Sequence, residues 1–163
     1  MRILFVAILS LLLGACGFHL RGNVTLPFET LYVEGDANSP FVSQLKRAIL
    51  SGSNTQLVNS PNEAQAVLQV LGETRQKVIL SLSGGGRVRE FQLNYNVSYR
   101  LLNGKNKALV QQGDIALKRD LSYNDTQLLA KESEEALLYR DMQSDAVLQT
   151  MRRMQAAKLS QNL

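Results

Sequence analysis

Few residues in this chain carry chemistry, and their spacing limits what they can do. Cys16 is the only cysteine and His19 the only histidine. No second cysteine or histidine completes a nucleophile–base pair or a metal site, so no catalytic residue, metal or cofactor is assigned. Glu132, Glu134 and Glu135 form an acidic run. On a helix they read as a solvated face near its positively polarised N-terminal end. Gly84-Gly85-Gly86 is followed by no Gly-Lys-Ser/Thr and sits between strand-like segments, which makes it a flexible turn rather than a nucleotide loop. Cations remain. Arg75 and Lys77 precede that turn, and Arg87 and Arg89 follow it. A hairpin closed by the glycines would bring all four to one end of a sheet, where arginine's two-pronged donor fork suits phosphate or carboxylate. The same charges also suit a solvated hairpin that discourages edge-to-edge pairing. The residues alone leave both readings open.

Cys16 has a chemistry set by what precedes it. Arg2 supplies a positive start, Ile3 to Leu13 is apolar except for Ser10, and Gly14 and Ala15 are the small residues a signal peptidase requires. The apolar stretch is too short for a transmembrane helix, which needs about 20 residues. Leu13-Gly14-Ala15-Cys16 resembles the lipobox of bacterial lipoproteins. That resemblance implies a cut before Cys16, diacylation of its thiol and acylation of the new amine. Acylation also removes the free thiol that a lone cysteine would carry into an oxidising compartment. Each buried CH₂ contributes roughly 0.8 kcal/mol, so two or more chains anchor firmly where one does not. In the lipoprotein class an aspartate after the cysteine signals inner-membrane retention. Gly17 stands there, so the outer membrane is the expected address.

Charge narrows the partners. The formal net charge is +4, and removing residues 1–15 takes away only Arg2. The cations are dispersed with no basic run, which gives nucleic-acid binding no support but is compatible with an anionic lipid or glycolipid.

The elements that must position these residues are legible as periodicities. Residues 17–29 read as an extended linker ending near Pro27. Thr30 to Val33 has strand composition, and Ser39-Pro40 reads as an N-cap with proline at the first helical position. Val42, Leu45 and Ile49 stripe that helix, with Gly52 closing it. Gln56 to Val58 suggests a short strand. Ala66 to Leu82 is the first of three long strand candidates. In the second, Phe91, Leu93, Tyr95, Val97, Tyr99 and Leu101 alternate with Glu90, Gln92, Asn94, Asn96, Ser98 and Arg100, giving one buried and one wet face. Asn103-Gly104 signals a hairpin into Lys107–Arg119. Asn124 or Asp125 caps a final helix to about Leu159, on which Met142, Ala146, Val147, Thr150, Met151 and Met154 share one face. That stripe is expected to pack on the Phe91–Leu101 face rather than serve as an adaptable binding surface. The expected fold class is α+β in two layers, a mostly antiparallel, mixed sheet of about four strands with two helices on one face. The expected organisation is a cleaved signal over 1–15, a lipidated linker over 16–29 and one domain over 30–163.

Cys16-Gly17-Phe18-His19-Leu20-Arg21-Gly22 resembles the start of the mature chain in the LptE family of LPS-assembly lipoproteins, where an aromatic-His-Leu-Arg run follows the lipidated Cys-Gly. Glu90-Phe91-Gln92-Leu93 and Leu129-Ala130-Lys131 also look like the family. The resemblance implies a non-enzymatic subunit of the lipopolysaccharide export complex. Such a protein plugs the outer-membrane β-barrel LptD, assists the barrel's assembly and binds lipopolysaccharide for delivery to the outer leaflet. It further implies lipopolysaccharide-binding cations near the long hairpin and at the start of the last helix. Lys131 matches the second position. At the first, Gly84 stands where the family has an arginine, so Arg87 and Arg89 are expected to supply the charge. Because barrel lumens are polar, Gln92, Asn94 and Asn96 are the expected barrel contacts, ordinary solvent exposure being the plain alternative. The competing function is an outer-membrane lipoprotein adaptor that binds a periplasmic protein without touching glycolipid.

Overall fold

The computed structural model describes residues 24–105 and 107–157. The signal, Cys16 and His19 lie outside the described residues.

Ser39 and Pro40 start the first helix as their types dictate. The Val42 N–H donates to Ser39 Oγ (3.1 Å), and the proline takes a position where no N–H is needed. This helix, α1 (Pro40–Gly52), follows strand β1 (Thr30–Glu34) and leads to the two-residue β2 (Gln56–Leu57). Its end differs from expectation: Gly52 remains helical, and Ser53 terminates it in extended conformation with its N–H (3.1 Å) and Oγ (2.8 Å) both donating to the Ile49 carbonyl. Three long strands follow, β3 (Ala66–Leu82), β4 (Val88–Asn103) and β5 (Ala108–Ser122), then a capped short turn and the 29-residue helix α2 (Leu128–Ala156). Asn124 is the cap, its Oδ1 accepting from the Thr126 N–H at 3.1 Å.

The five strands form one sheet in the order β2-β1-β3-β4-β5. β1 runs parallel to both β2 and β3, and β3-β4-β5 is an antiparallel meander. The sheet has five strands against the expected count of about four, the short β2 lying within the Gln56–Val58 segment whose composition suggested a strand. Parallel neighbours cannot be joined by a tight turn, and α1 supplies the crossover from β1 to β2. The period-2 pattern of β4 is realised: Leu93, Tyr95, Val97, Tyr99 and Leu101 are buried, and their even-numbered neighbours from Gln92 to Arg100 point to the other face. Both helices cover the buried face. Phe41, Val42, Leu45 and Ile49 of α1 and Met142, Ala146, Val147, Met151 and Met154 of α2 join the strand residues in one core. The methionine stripe is therefore core. Gln143 N–H₂ to Gln44 and Gln44 N–H₂ to Ser144 (2.9 Å) tie the two helices together.

The body begins earlier than the composition suggested. Leu26 and Phe28, inside the expected linker, are buried in the core, and the Val24 N–H donates to the Gly52 carbonyl at 2.7 Å. On the opposite face a small second cluster of Ala64, Val67 and Leu102 closes the base of the sheet. Register shifts leave Leu71 and Leu80 of β3 without partners on β4, and such bulges bend a strand and steepen its twist.

Candidate functional site

The β3–β4 hairpin turns on glycine for a conformational reason. Gly86 has φ +76°, the left-handed region that L side chains adopt only at a cost. The Ser83 N–H donates to the Arg87 carbonyl (2.7 Å), the Gly86 N–H to the Ser83 carbonyl (2.9 Å), and the Arg87 N–H to Ser83 Oγ (3.1 Å). The turn holds Arg87 and Arg89 at the tip of the hairpin, both exposed, and neither pairs with a carboxylate among the described residues.

Lys131 comes to the same end from the other layer. Ser122, the last residue of β5, lies opposite Glu90 of β4, and the Tyr123 N–H donates to the Arg89 carbonyl at 2.7 Å. From the first turn of α2, Lys131 Nζ donates to Ser122 Oγ (2.9 Å) and to Glu134 Oε2 (2.8 Å). An open hollow of about 460 Å³ lies between these elements, lined by Ser81, Leu82, Arg89, Glu90, Ser122 and Tyr123. Ser81 Oγ donates to Glu90 Oε2 across its floor (2.8 Å). Arg89 lines the hollow and Lys131, about forty residues away in sequence, bonds to its lining residue Ser122, so the two come to the same end from different layers.

Arg75 and Lys77 do not join them. Arg75 lies opposite Tyr95 and Lys77 opposite Leu93, so both project onto the face that α2 covers. The Arg75 guanidinium donates to Gln143 Oε1 (2.8 Å) and stands 5.6 Å from the ring centroids of both Tyr95 and Tyr139. Lys77 Nζ pairs with Glu135 Oε2 at 2.6 Å and lies 4.2 Å from the Phe91 ring centroid. These cations brace the long helix, so the tip carries two hairpin charges where sequence spacing suggested four. The acidic run is corrected at one position. Glu135 is half-buried against Lys77, whereas Glu132 and Glu134 are exposed helix surface as expected, Glu134 pairing with Lys131.

Gln92, Asn94 and Asn96 lie on the sheet face that neither helix covers. Their neighbours across the ladder are Val78, Gln76 and Thr74 on β3 and Asp120, Lys118 and Ala116 on β5. Farther along, Ser98 donates to Asp114 Oδ1 at 2.6 Å; hydrogen bonds from Ser98 and then Gln112 hold that carboxylate below its ordinary pKa. The face is a broad array of amides and hydroxyls interspersed with Asp114, Lys118 and Asp120, able to hydrogen-bond to another polar wall.

Sequence reasoning missed Glu90, Ser122 and Tyr123 as parts of the site. Their one local signal was position, at the end of the wet register of β4 and at the hand-over from strand to helix. It also missed a polar cluster between the layers, where Glu73 accepts from the Ser39 hydroxyl and from Tyr95 (2.8 Å). Burial first, and then the Glu73 bond and charge, push the Tyr95 phenol well above its ordinary pKa. Among the described residues no group of three or more metal-ligating side chains occurs, and no helix is long and apolar enough to cross a membrane.

A helix-backed sheet with one polar face uncovered and a hollow at a tip that carries two exposed arginines is the architecture of a binding module. Comparison with known proteins makes this specific. Residues 28–154 match the LptE lipopolysaccharide-assembly family, and the chain belongs to that family. It is 26% identical over 158 residues to the LPS-assembly lipoprotein LptE of Photorhabdus laumondii, covering 90% of this chain and 85% of that protein. With the Yersinia enterocolitica LptE it shares 29% identity over 159 residues, covering 90% and 75%. Its fold is similar to the solution structure of lipoprotein B from Nitrosomonas europaea, with TM-score 0.76 and 45% identity over 86% of this chain and 91% of that one. Rare lipoprotein B from Shewanella oneidensis shares the fold at TM-score 0.66 and 24% identity, over 78% and 96% of the two chains.

Proposed function

We propose that this protein is an outer-membrane lipoprotein subunit of a lipopolysaccharide export complex. Cys16, freed by removal of residues 1–15, carries the lipid anchor. The uncovered face around Gln92, Asn94 and Asn96 packs against the polar lumen of an LptD-type β-barrel, plugging it and assisting its assembly. Lys131, Arg87 and Arg89 meet the phosphates and carboxylates of lipopolysaccharide at the hairpin tip.

The observation that carries this reading is that Arg89, which lines the hollow, and Lys131, which bonds to the lining residue Ser122, reach from different layers the end of the sheet where Arg87 is exposed. The tip and the polar face are also distinct surfaces, so one protein can hold a barrel wall and a glycolipid together. Charge-assisted bonds to phosphate suit these groups, Arg87 and Arg89 as bidentate forks and Lys131 as a point charge. Glu134 pairs with Lys131 and is exposed, so a phosphate that takes over Lys131 releases the Glu134 carboxylate into solvent.

Affinity capture of the full chain from native membranes in mild detergent tests this, scoring barrel and lipopolysaccharide together. The expected result is both with the wild type, and barrel without lipopolysaccharide for Arg87→Glu/Arg89→Glu/Lys131→Glu. Capture of neither by the wild type rejects the reading.

A further inference from the structure

The apolar side chains that this body leaves in water are not scattered. Of nine large hydrophobic residues exposed among the described residues, five belong to the distal hairpin and the first turn of α2: Ile79, Leu80, Leu82, Leu128 and Leu129. Single exposed leucines need no explanation, but a group of them rimmed by charge marks a contact surface. Leu82 is 55% exposed and lines the hollow beside Arg89 and Tyr123. Leu129 is 79% exposed, and Leu128 stands one turn ahead of Lys131, on the same side of the helix.

We propose that this leucine group holds acyl chains of the same phosphorylated glycolipid whose anionic groups the tip cations meet, so the tip recognises the amphiphile across its polar–apolar boundary. The inference rests on the function proposed above and adds the apolar half of the site. Charge complementarity selects the occupant. A soluble phosphate or sugar phosphate would use the cations and leave the leucines wet. An apolar peptide would use the leucines and strand Arg87 and Arg89. The hollow is concave and about 460 Å³, which suits chain segments of one molecule rather than a flat bilayer surface. Leu82 is the aliphatic part of its wall, and Leu128 comes to the same end on the side of α2 that carries Lys131, which bonds to the lining residue Ser122. A bound chain would therefore bridge the two layers at a place where, among the described residues, polar contacts such as Lys131–Ser122 and Lys77–Glu135 hold them together.

Binding of purified mature full-length protein to three probes decides the matter: lipopolysaccharide, the same lipopolysaccharide chemically deacylated with its phosphates kept, and phosphatidylglycerol vesicles without glycolipid. The wild type is expected to bind the acylated form at least about tenfold more tightly than the deacylated form, the scale set by burying one or two leucine side chains. Leu82→Ser/Leu128→Ser is expected to lose that preference, its affinity falling more for the acylated than for the deacylated form. Leu82→Met/Leu128→Met is expected to retain the preference. All four changes are at exposed positions, and an unaltered melting temperature confirms the fold. Equal wild-type affinity for both glycolipids, or an undiminished preference in the serine variant, overturns the acyl contact while the charge site stands. Leucine-dependent binding to the vesicles overturns it in favour of a bilayer. No binding of either glycolipid by the wild type removes the proposed function and this inference with it.

Discussion

Tyr95 and Tyr99 offer the same chemical change with opposite expected signs. Both rings are fully buried on the core face of β4, and each can lose only its hydroxyl by substitution with phenylalanine. The Tyr95 hydroxyl donates to Glu73 at 2.8 Å, a bond to a charged acceptor. The Tyr99 hydroxyl is buried with no hydrogen-bond partner. Bonds to charged groups contribute about 1.5–3 kcal/mol, and an unsatisfied buried hydroxyl costs about 1–3 kcal/mol. Tyr95→Phe should therefore destabilise by about 2 kcal/mol and Tyr99→Phe should stabilise by about 1 kcal/mol. For a chain of this size each kcal/mol is roughly 2–4 °C in Tm. Urea unfolding of the mature chain reads both, with an unchanged m-value showing that only stability moved. A destabilised Tyr99→Phe would mean that its hydroxyl is bonded after all, and equal losses in both variants would refute the reasoning altogether. pH provides a second arm. Burial and Glu73 raise the Tyr95 pKa in the folded protein, so above about pH 10 the unfolded phenol ionises while the folded one keeps its proton. The unfolded state then binds fewer protons, and stability falls as pH rises. In Tyr95→Phe that fall should be shallower, with a remainder from Tyr139, whose pKa burial and Glu135 also raise.

Gly113 lies opposite Tyr99, and a Cβ built there would stand 2.5 Å from the ring carbon Cζ. Gly113→Ala should cost about 1–3 kcal/mol in urea unfolding, and much less in a Tyr99→Leu background, because the two changes share one contact. Removing the brace with Lys77→Met should speed amide hydrogen exchange over residues 128–138 with only a small change in global Tm, since the core lies farther along α2. Cys16→Ser should move the protein from the membrane fraction to the soluble periplasmic fraction on cell fractionation.

The N-cap at Ser39, the alternation of β4, the hairpin glycines and the methionine stripe were legible in the sequence because each is a local rule with a fixed period or a fixed residue type. Lys131 and the hairpin arginines were also named from sequence, the first by family likeness and the others by proximity to a glycine turn. Tertiary structure alone decided what those charges do. Arg75, Lys77, Arg87 and Arg89 look alike as a string, yet a helix arriving from about sixty residues downstream engages the first pair and leaves the second at the tip. The buried status of Leu26 and Phe28, the partners of Glu134 and Glu135, and the arrival of Arg89 and Lys131 at one end of the sheet are decided in the same way. Periodicity says which face of an element is apolar. Which element comes to lie on that face, and how far along it reaches, is fixed only when the layers pack.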